Sequence, residues 1–353
     1  MFVVSADNQG IQVAEDAFQI EKVVDGITRI ELASIPEIPE ALARPVNVYV
    51  VDGPSPALIN TGHPRQTDAL LAALRSCDIT PAQIERIIAT SWRIDVVGAA
   101  NQFPRADLFV QSPDMATPRD FEMQIDTRRR RLRELAADIA GECDDVRRQP
   151  VEEAVERYYP RMTRDLRFAP LRNGHFVHAG DRRFEVLATA GPGPGHMALY
   201  CEQDQLLFCG DFAMTGLPDR LDDTQAYLVS LERLAELPAE LVLPNGGRTF
   251  RQGRWTVSRA SNFLNNFLSN APAALVRSPT VLEFVERDRG GSIDDPVDLA
   301  LTYERFRHLF DELVRTRTIA AEGQGIERRY GIDVDDPRDK LRRHDRVDTR
   351  RDQ

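Results

Sequence analysis

Thr90-Ser91-Trp92-Arg93-Ile94-Asp95-Val96-Val97-Gly98 follows the apolar run Ile87-Ile88-Ala89. A short apolar run that ends in a polar turn reads as a buried strand handing side chains to whatever lies beyond its carboxyl end. What this stretch hands over is two hydroxyls, one guanidinium and one carboxylate, with no imidazole and no thiol. Upstream stand Asn47-Val48-Tyr49-Val50-Val51 and Ala57-Leu58-Ile59-Asn60-Thr61-Gly62. Downstream stand Gly191-Pro192-Gly193-Pro194-Gly195-His196, Leu207-Phe208-Cys209-Gly210-Asp211 and Leu243-Pro244-Asn245-Gly246-Gly247. Each stretch falls on a predicted strand end or a glycine-rich turn, where backbone can bend and polar groups collect.

In order and spacing these stretches resemble the metallo-β-lactamase superfamily. Its signatures run N-x-Y, I-D-T-G, T-H-x-H-x-D-H-x-G-G, G-H-T-P-G, G-D and P-G-H-G. The resemblance implies an α/β (α+β) fold, an αββα sandwich. In the family it also implies a metal-dependent hydrolase, with zinc held by five histidines and two aspartates. Carried over residue by residue, the three histidine positions of the first loop fall on Ser91, Arg93 and Val96. The fourth falls on Pro192 and the fifth on Gly246. The two carboxylate positions remain, as Asp95 and Asp211.

Zinc sites take three or four Cys, His or carboxylate ligands at short distances, and two aspartates do not make one. Val96 and Pro192 offer no donor. Arg93 brings a cation that stays protonated in a protein and repels a dication. Zinc is therefore expected for the family but not for this sequence, and no cofactor is expected. Asp95 and Asp211 are read first as ion-pair partners of Arg93. Were the chain an enzyme, Asp95, Asp211, Ser91 and His63 would be the first residues to test. His196 matches a non-ligand position and reads as structural. His63 follows the Thr61-Gly62 turn, where a lone histidine is more often exposed. His175 and His178 do not share a strand face and are not read as a metal pair.

The chain has 353 residues and ordinary apolar content, enough for a large core and one or two domains. No apolar run is long enough for a membrane helix, and the first residues do not read as a signal peptide. Cys77, Cys143, Cys201 and Cys209 are widely spaced, as expected of reduced cysteines in a cytoplasmic protein, with Cys209 read as a buried strand residue rather than a nucleophile. The net charge of −11 argues against a general nucleic-acid or membrane-surface binder. Lys22 and Lys340 are the lysines, so 43 of the 45 basic residues are arginine, which suggests a GC-rich bacterial source. Arg128-Arg129-Arg130-Arg131-Leu132-Arg133 is read as a solvated helix face.

Residues 1–254 are assigned to the sandwich, with a helical insertion over 112–166. Period-2 patterns predict strands over Phe18–Leu32, Val46–Leu58, Ala106–Val110, His175–His178, Arg183–Ala188, His196–Cys201, Gln205–Gly210 and Leu241–Pro244. Helices are expected over Asp68–Cys77, Gly98–Phe103 and Ser230–Leu237. Residues 255–330 read as a C-terminal helical, winged-helix-like domain, with helices over Ser278–Val285 and Thr302–Arg315 and a wing at Thr316–Gly323. Residues 331–353 read as a loose charged tail. The expected function is that of a pseudo-hydrolase binding an unknown small molecule or protein partner, without nucleic acid or membrane and with homo-oligomerisation open. The alternative is a hydrolase with a rebuilt, non-family site in the same cleft, since fold alone does not decide function.

Overall fold

The structure is a computed structural model that describes residues 16–35, 44–111, 118–140, 145–160, 166–193, 195–290, 293 and 295–331. Its first sheet follows chain order: β1 (Phe18–Val24), β2 (Ile27–Leu32), β3 (Val46–Val51), β4 (Ala57–Ile59), β5 (Arg86–Ala89), β6 (Asp107–Gln111) and β7 (Arg167–Leu171). Pairing is antiparallel from β1 to β4 and parallel from β4 to β7. Parallel neighbours need crossovers. These are supplied by α1 (Thr67–Ser76), by α2 (Ile94–Val97) with a 3₁₀ turn, and by the insertion helices α3 (Pro118–Ala140) and α4 (Asp145–Tyr158). The second sheet contains β8 (Phe176–Ala179), β9 (Arg182–Ala188), β10 (Met197–Cys201), β11 (Leu206–Gly210), β12 (Leu241–Pro244) and β13 (Phe250–Arg251), in the order β13-β12-β11-β10-β9-β8. Its β11–β12 pair is parallel, and α5 (Thr224–Ala235) connects the two strands.

All six residues of β3 are buried because its two faces meet different cores. Successive strand side chains point to opposite faces. Tyr49 and Val51 enter the layer between the sheets with Phe184, Leu199 and Phe208, and the Tyr49 and Phe208 rings meet edge to face at 5.0 Å. Val48 and Val50 turn outward onto Leu70 and Leu74 of α1. The outer face of the second sheet (Tyr200, Leu207, Val242) is covered by α5, α6 (Gly253–Leu275), α7 (Val281–Arg289) and α8 (Pro296–Arg315). The four layers are therefore helix, sheet, sheet, helix, with the C-terminal helices forming the last layer.

Some elements differ from their predicted spans. The helix expected over 98–103 is replaced by α2 and a 3₁₀ turn at Ala100–Gln102, because Ile94, Val96 and Val97 are drawn into the outer core right after Arg93. α5 starts earlier than expected, at Thr224, where the Asp223 side chain accepts from the Ala226 N–H and caps it. The edge strands β7 and β13 were not anticipated. After α8, β14 (Ala320–Glu322) pairs with β15 (Arg329–Gly331), so a hairpin lies where a wing was expected. The charged tail and the first residues lie outside the described residues.

Candidate functional site

The site forms where the carboxyl ends of β5, β11 and β12 converge. Asn60, Thr90 and Asn245 tie these strand ends together: the Asn60 amide donates to Asn245 Oδ1 at 2.6 Å, and Thr90 N–H donates to Asn60 Oδ1 at 3.0 Å. The Asn245 amide then donates to Asp211 Oδ1 at 2.9 Å. Gly210 precedes Asp211 at φ +62, and a Cβ there would lie 2.3 Å from His196 Nε2. Only a glycine allows this approach, and it lets the Asp211 N–H donate to His196 Nε2 at 2.9 Å. His196 Nδ1 then carries the proton and donates to the Thr189 carbonyl at 2.9 Å. Burial holds this imidazole below its ordinary pKa. It is a strut of the site, as the sequence suggested.

Arg93 and Asp95 meet as a two-pronged pair. Nε donates to Asp95 Oδ1 at 3.0 Å, and Nη2 lies 2.8 Å from Oδ1 and 2.9 Å from Oδ2. Arg93 Nε also lies 3.6 Å from Asp211 Oδ2. A second guanidinium completes the cluster: Arg220 Nη2 donates to Asp95 Oδ2 at 2.8 Å and to the Tyr158 hydroxyl at 3.2 Å. Burial works against the Arg93 charge, but Asp95 and Asp211 outweigh it and hold the group above its ordinary value. Burial pushes the Asp95 carboxyl up, while Arg93 pulls it back down. Tyr159, buried beside the cluster, is pushed up to about 12.

This donor set does not fit the family's zinc. Both Asp95 oxygens are taken by guanidinium N–H groups, and Ser91 Oγ turns to Asp211 Oδ2 at 3.4 Å. Val96 is buried in the apolar core. Pro192 lines the cleft without a donor, and Gly246 lines a neighbouring groove without a side chain. Among the described residues, no group of three or more His, Cys, Asp or Glu side chains is placed to hold a metal.

The cluster opens on a cavity of about 90 Å³ roofed by α3, α4 and α8. Arg128 and Arg131 of the basic run reach across it, Arg128 to Asp222 and Arg131 Nε to Glu304 Oε1 at 2.7 Å. Arg129 and Arg133 pair with Glu156 of α4. Four of the five arginines therefore join α3 to other elements, while Arg130 is exposed. His63 also departs from expectation, being buried rather than exposed. Its Nδ1 accepts from the Arg65 N–H at 3.1 Å, its Nε2–H donates to the Tyr158 carbonyl at 2.6 Å, and its ring stacks on Tyr158. Burial lowers its pKa to about 4. It fastens α4 to the turn after β4 and does not line the cavity. Cys209 is buried in the outer core, where burial pushes its thiol up. Arg220 and Tyr158 were not singled out from sequence. Arg220 sits in an aperiodic loop 125 residues from its partner Asp95, and only the fold brings them together.

Residues 41–246 match the family model of the metallo-beta-lactamase superfamily. The chain belongs to this superfamily. A Caenorhabditis elegans protein named beta-lactamase-like protein 2 homolog is 24% identical over 65% of this chain. The match spans 63% of that protein's length. Among solved structures, a metallo-beta-lactamase family protein from Thermus thermophilus superposes with a TM-score of 0.67 at 21% identity, covering 88% of this chain and all of its own. A beta-lactamase domain protein from Burkholderia ambifaria gives 0.70 at 18% identity, covering 89% of this chain and 94% of its own. At these identities the structural likeness speaks for the fold alone.

Proposed function

We propose that the chain is a pseudo-hydrolase: a metallo-β-lactamase-fold protein in which a guanidinium–carboxylate cluster replaces zinc, and which binds a small molecule or protein partner. The observation that carries this reading is the Arg93–Asp95–Arg220 cluster, which uses both oxygens of the one ligand retained in the first loop. The family's chemistry needs a metal-bound hydroxide, since the metal lowers the water pKa from 15.7 to about 7. A carboxylate base acting on ordinary water contributes about 10²–10⁴-fold, below the 10⁶ or more typical of enzymes. The helices and hairpin from α6 to β15 are read as a winged-helix-like unit that shapes the cleft through Glu304 and Arg305 rather than binding DNA. The protein is read as bacterial and cytoplasmic; among the described residues, no helix is long and apolar enough to cross a membrane.

The test is metal content and turnover of protein purified without chelator. The expected result is well under one zinc per chain and no hydrolysis of β-lactam, thioester or phosphodiester substrates above background. Hydrolysis abolished by Asp95→Ala or Asp211→Ala would refute the reading and favour a rebuilt hydrolase.

A further inference from the structure

Between Glu240 and Glu283 the chain has five arginines and no acidic residue, in a protein of net charge −11. The stretch forms β12, the edge strand β13 and all of α6. Arg248, Arg251, Arg254, Arg259 and Arg277 are exposed, and none forms an ion pair among the described residues. The arginines around the cleft behave differently: Arg93, Arg128, Arg131 and Arg220 all meet a carboxylate. Large apolar side chains share this basic surface. Trp255 is 59% exposed and Phe263 47%. With Arg259 they stand at i, i+4 and i+8, one stripe along the helix. The Arg259 guanidinium lies over the Trp255 ring at 5.4 Å, and that of Arg248 over Phe250 at 5.1 Å. Cation–π contact leaves a guanidinium's charge unneutralised, so it remains available to an incoming anion.

We infer that the outward face of α6, with the end of β13, docks an acidic amphipathic protein segment. This specifies the partner in the function proposed above and rests on that reading. Exposed Trp, Phe and Arg together, with no acid among them, have the composition of binding anchors. Four of the five arginines, Arg248, Arg251, Arg254 and Arg259, cluster around the start of α6; Arg277 follows its far end, and residues 260–276 between carry no charge of either sign. A uniform polyanion such as nucleic acid gains nothing along the second half of that face. A helix with acidic residues toward one end and apolar ones toward the other matches its whole length. A two-fold pairing of this face with itself would bring the unpaired arginines of two copies together, and like charges facing each other destabilise such a contact.

The test uses the whole protein and a synthetic helical peptide of about 20 residues, with glutamates toward one end and leucines along one face toward the other. Binding is read by peptide anisotropy and by the emission of Trp255, the exposed member of the two tryptophans. The expected result is binding that shields Trp255 from iodide and weakens as salt rises. Arg254→Glu with Arg259→Glu should weaken it about tenfold or more, and Trp255→Ala should weaken it also. Arg183→Glu, on the exposed face of β9, should leave it unchanged. No peptide binding, equal loss with Arg183→Glu, or tighter binding of single-stranded RNA or phosphatidylglycerol vesicles than of the peptide would each overturn the inference. Zinc content and turnover are read separately, so failure here is distinguishable from failure of the pseudo-hydrolase reading.

Discussion

Arg93→Ala removes one of the two cations that hold Asp95. In the native protein the Arg93 and Asp95 side chains are only 19% and 12% exposed, so solvent screens their contact weakly. Breaking a buried pair from one side costs about 3–5 kcal/mol, because the remaining charge stays desolvated. Here Arg220 Nη2 still lies 2.8 Å from Asp95 Oδ2, so the lower end of that range, about 3 kcal/mol, is expected. With an m-value of about 3 kcal/mol per molar urea, that moves the unfolding midpoint down by about 1 M. The pH dependence follows from Asp95, which burial already raises. A carboxyl whose folded pKa exceeds its unfolded value costs stability at higher pH, and the cost fades as pH falls and the group protonates. Losing Arg93 raises that pKa further, so the gap between variant and native protein should be widest near pH 8 and narrow toward pH 5. Urea titrations at both pH values, followed by far-UV circular dichroism, measure it. An unchanged midpoint, or a loss independent of pH, would show that Arg93 does not compensate Asp95.

Other outcomes follow from the same geometry. If the guanidinium–carboxylate cluster stands in place of zinc as proposed, a chelator should leave the melting temperature unchanged; a fall of several degrees would contradict this. Burial depresses His63 from 6.5 to about 4, so it supports folding fully above pH 6.5 and loses that support as pH falls toward 4. The gap is worth about 3 kcal/mol, and acid titration of His63→Gln should lack that step. Gly210→Ala should cost at least about 1–3 kcal/mol in thermal stability from its positive φ alone, before the contact with His196 is counted. Ser91→His, Arg93→His, Val96→His, Pro192→His and Gly246→His together should bind zinc weakly or not at all by spectrophotometric titration unless Arg220→Ala is added.

The layers were legible because β-strand alternation and strand-end motifs are local signals. Asn47-Val48-Tyr49-Val50-Val51 has apolar residues on both faces, and both faces proved to be buried. The Arg93–Asp95 contact was also legible, since the two residues lie within one turn. Arg220 was not: nothing in Gly216-Leu217-Pro218-Asp219-Arg220-Leu221 repeats, and its partner Asp95 stands in α2, 125 residues away. His63 was misjudged because a turn histidine looks exposed until α4 covers it. The arginines at 128–133 were misjudged because helical spacing reveals a face but not what packs against it. β13, two residues long, is an edge strand with too few residues for a period.

A charge balance accounts for the two arginines that meet Asp95. A dication bound near Asp95 and Asp211 would neutralise two carboxylates. Removing it without replacement would leave two buried anions, each destabilised by desolvation and by the other. Arg93 alone supplies one unit of positive charge; Arg220, which meets Asp95 Oδ2, supplies the second. A guanidinium suits this task better than an ammonium, because its planar N–H groups satisfy carboxylate oxygens in pairs and stay charged when buried. The same arrangement explains why histidines alone would not restore the metal site. Arg93→His removes one cation, but Arg220 still holds the other against Asp95 Oδ2, an oxygen a metal would need.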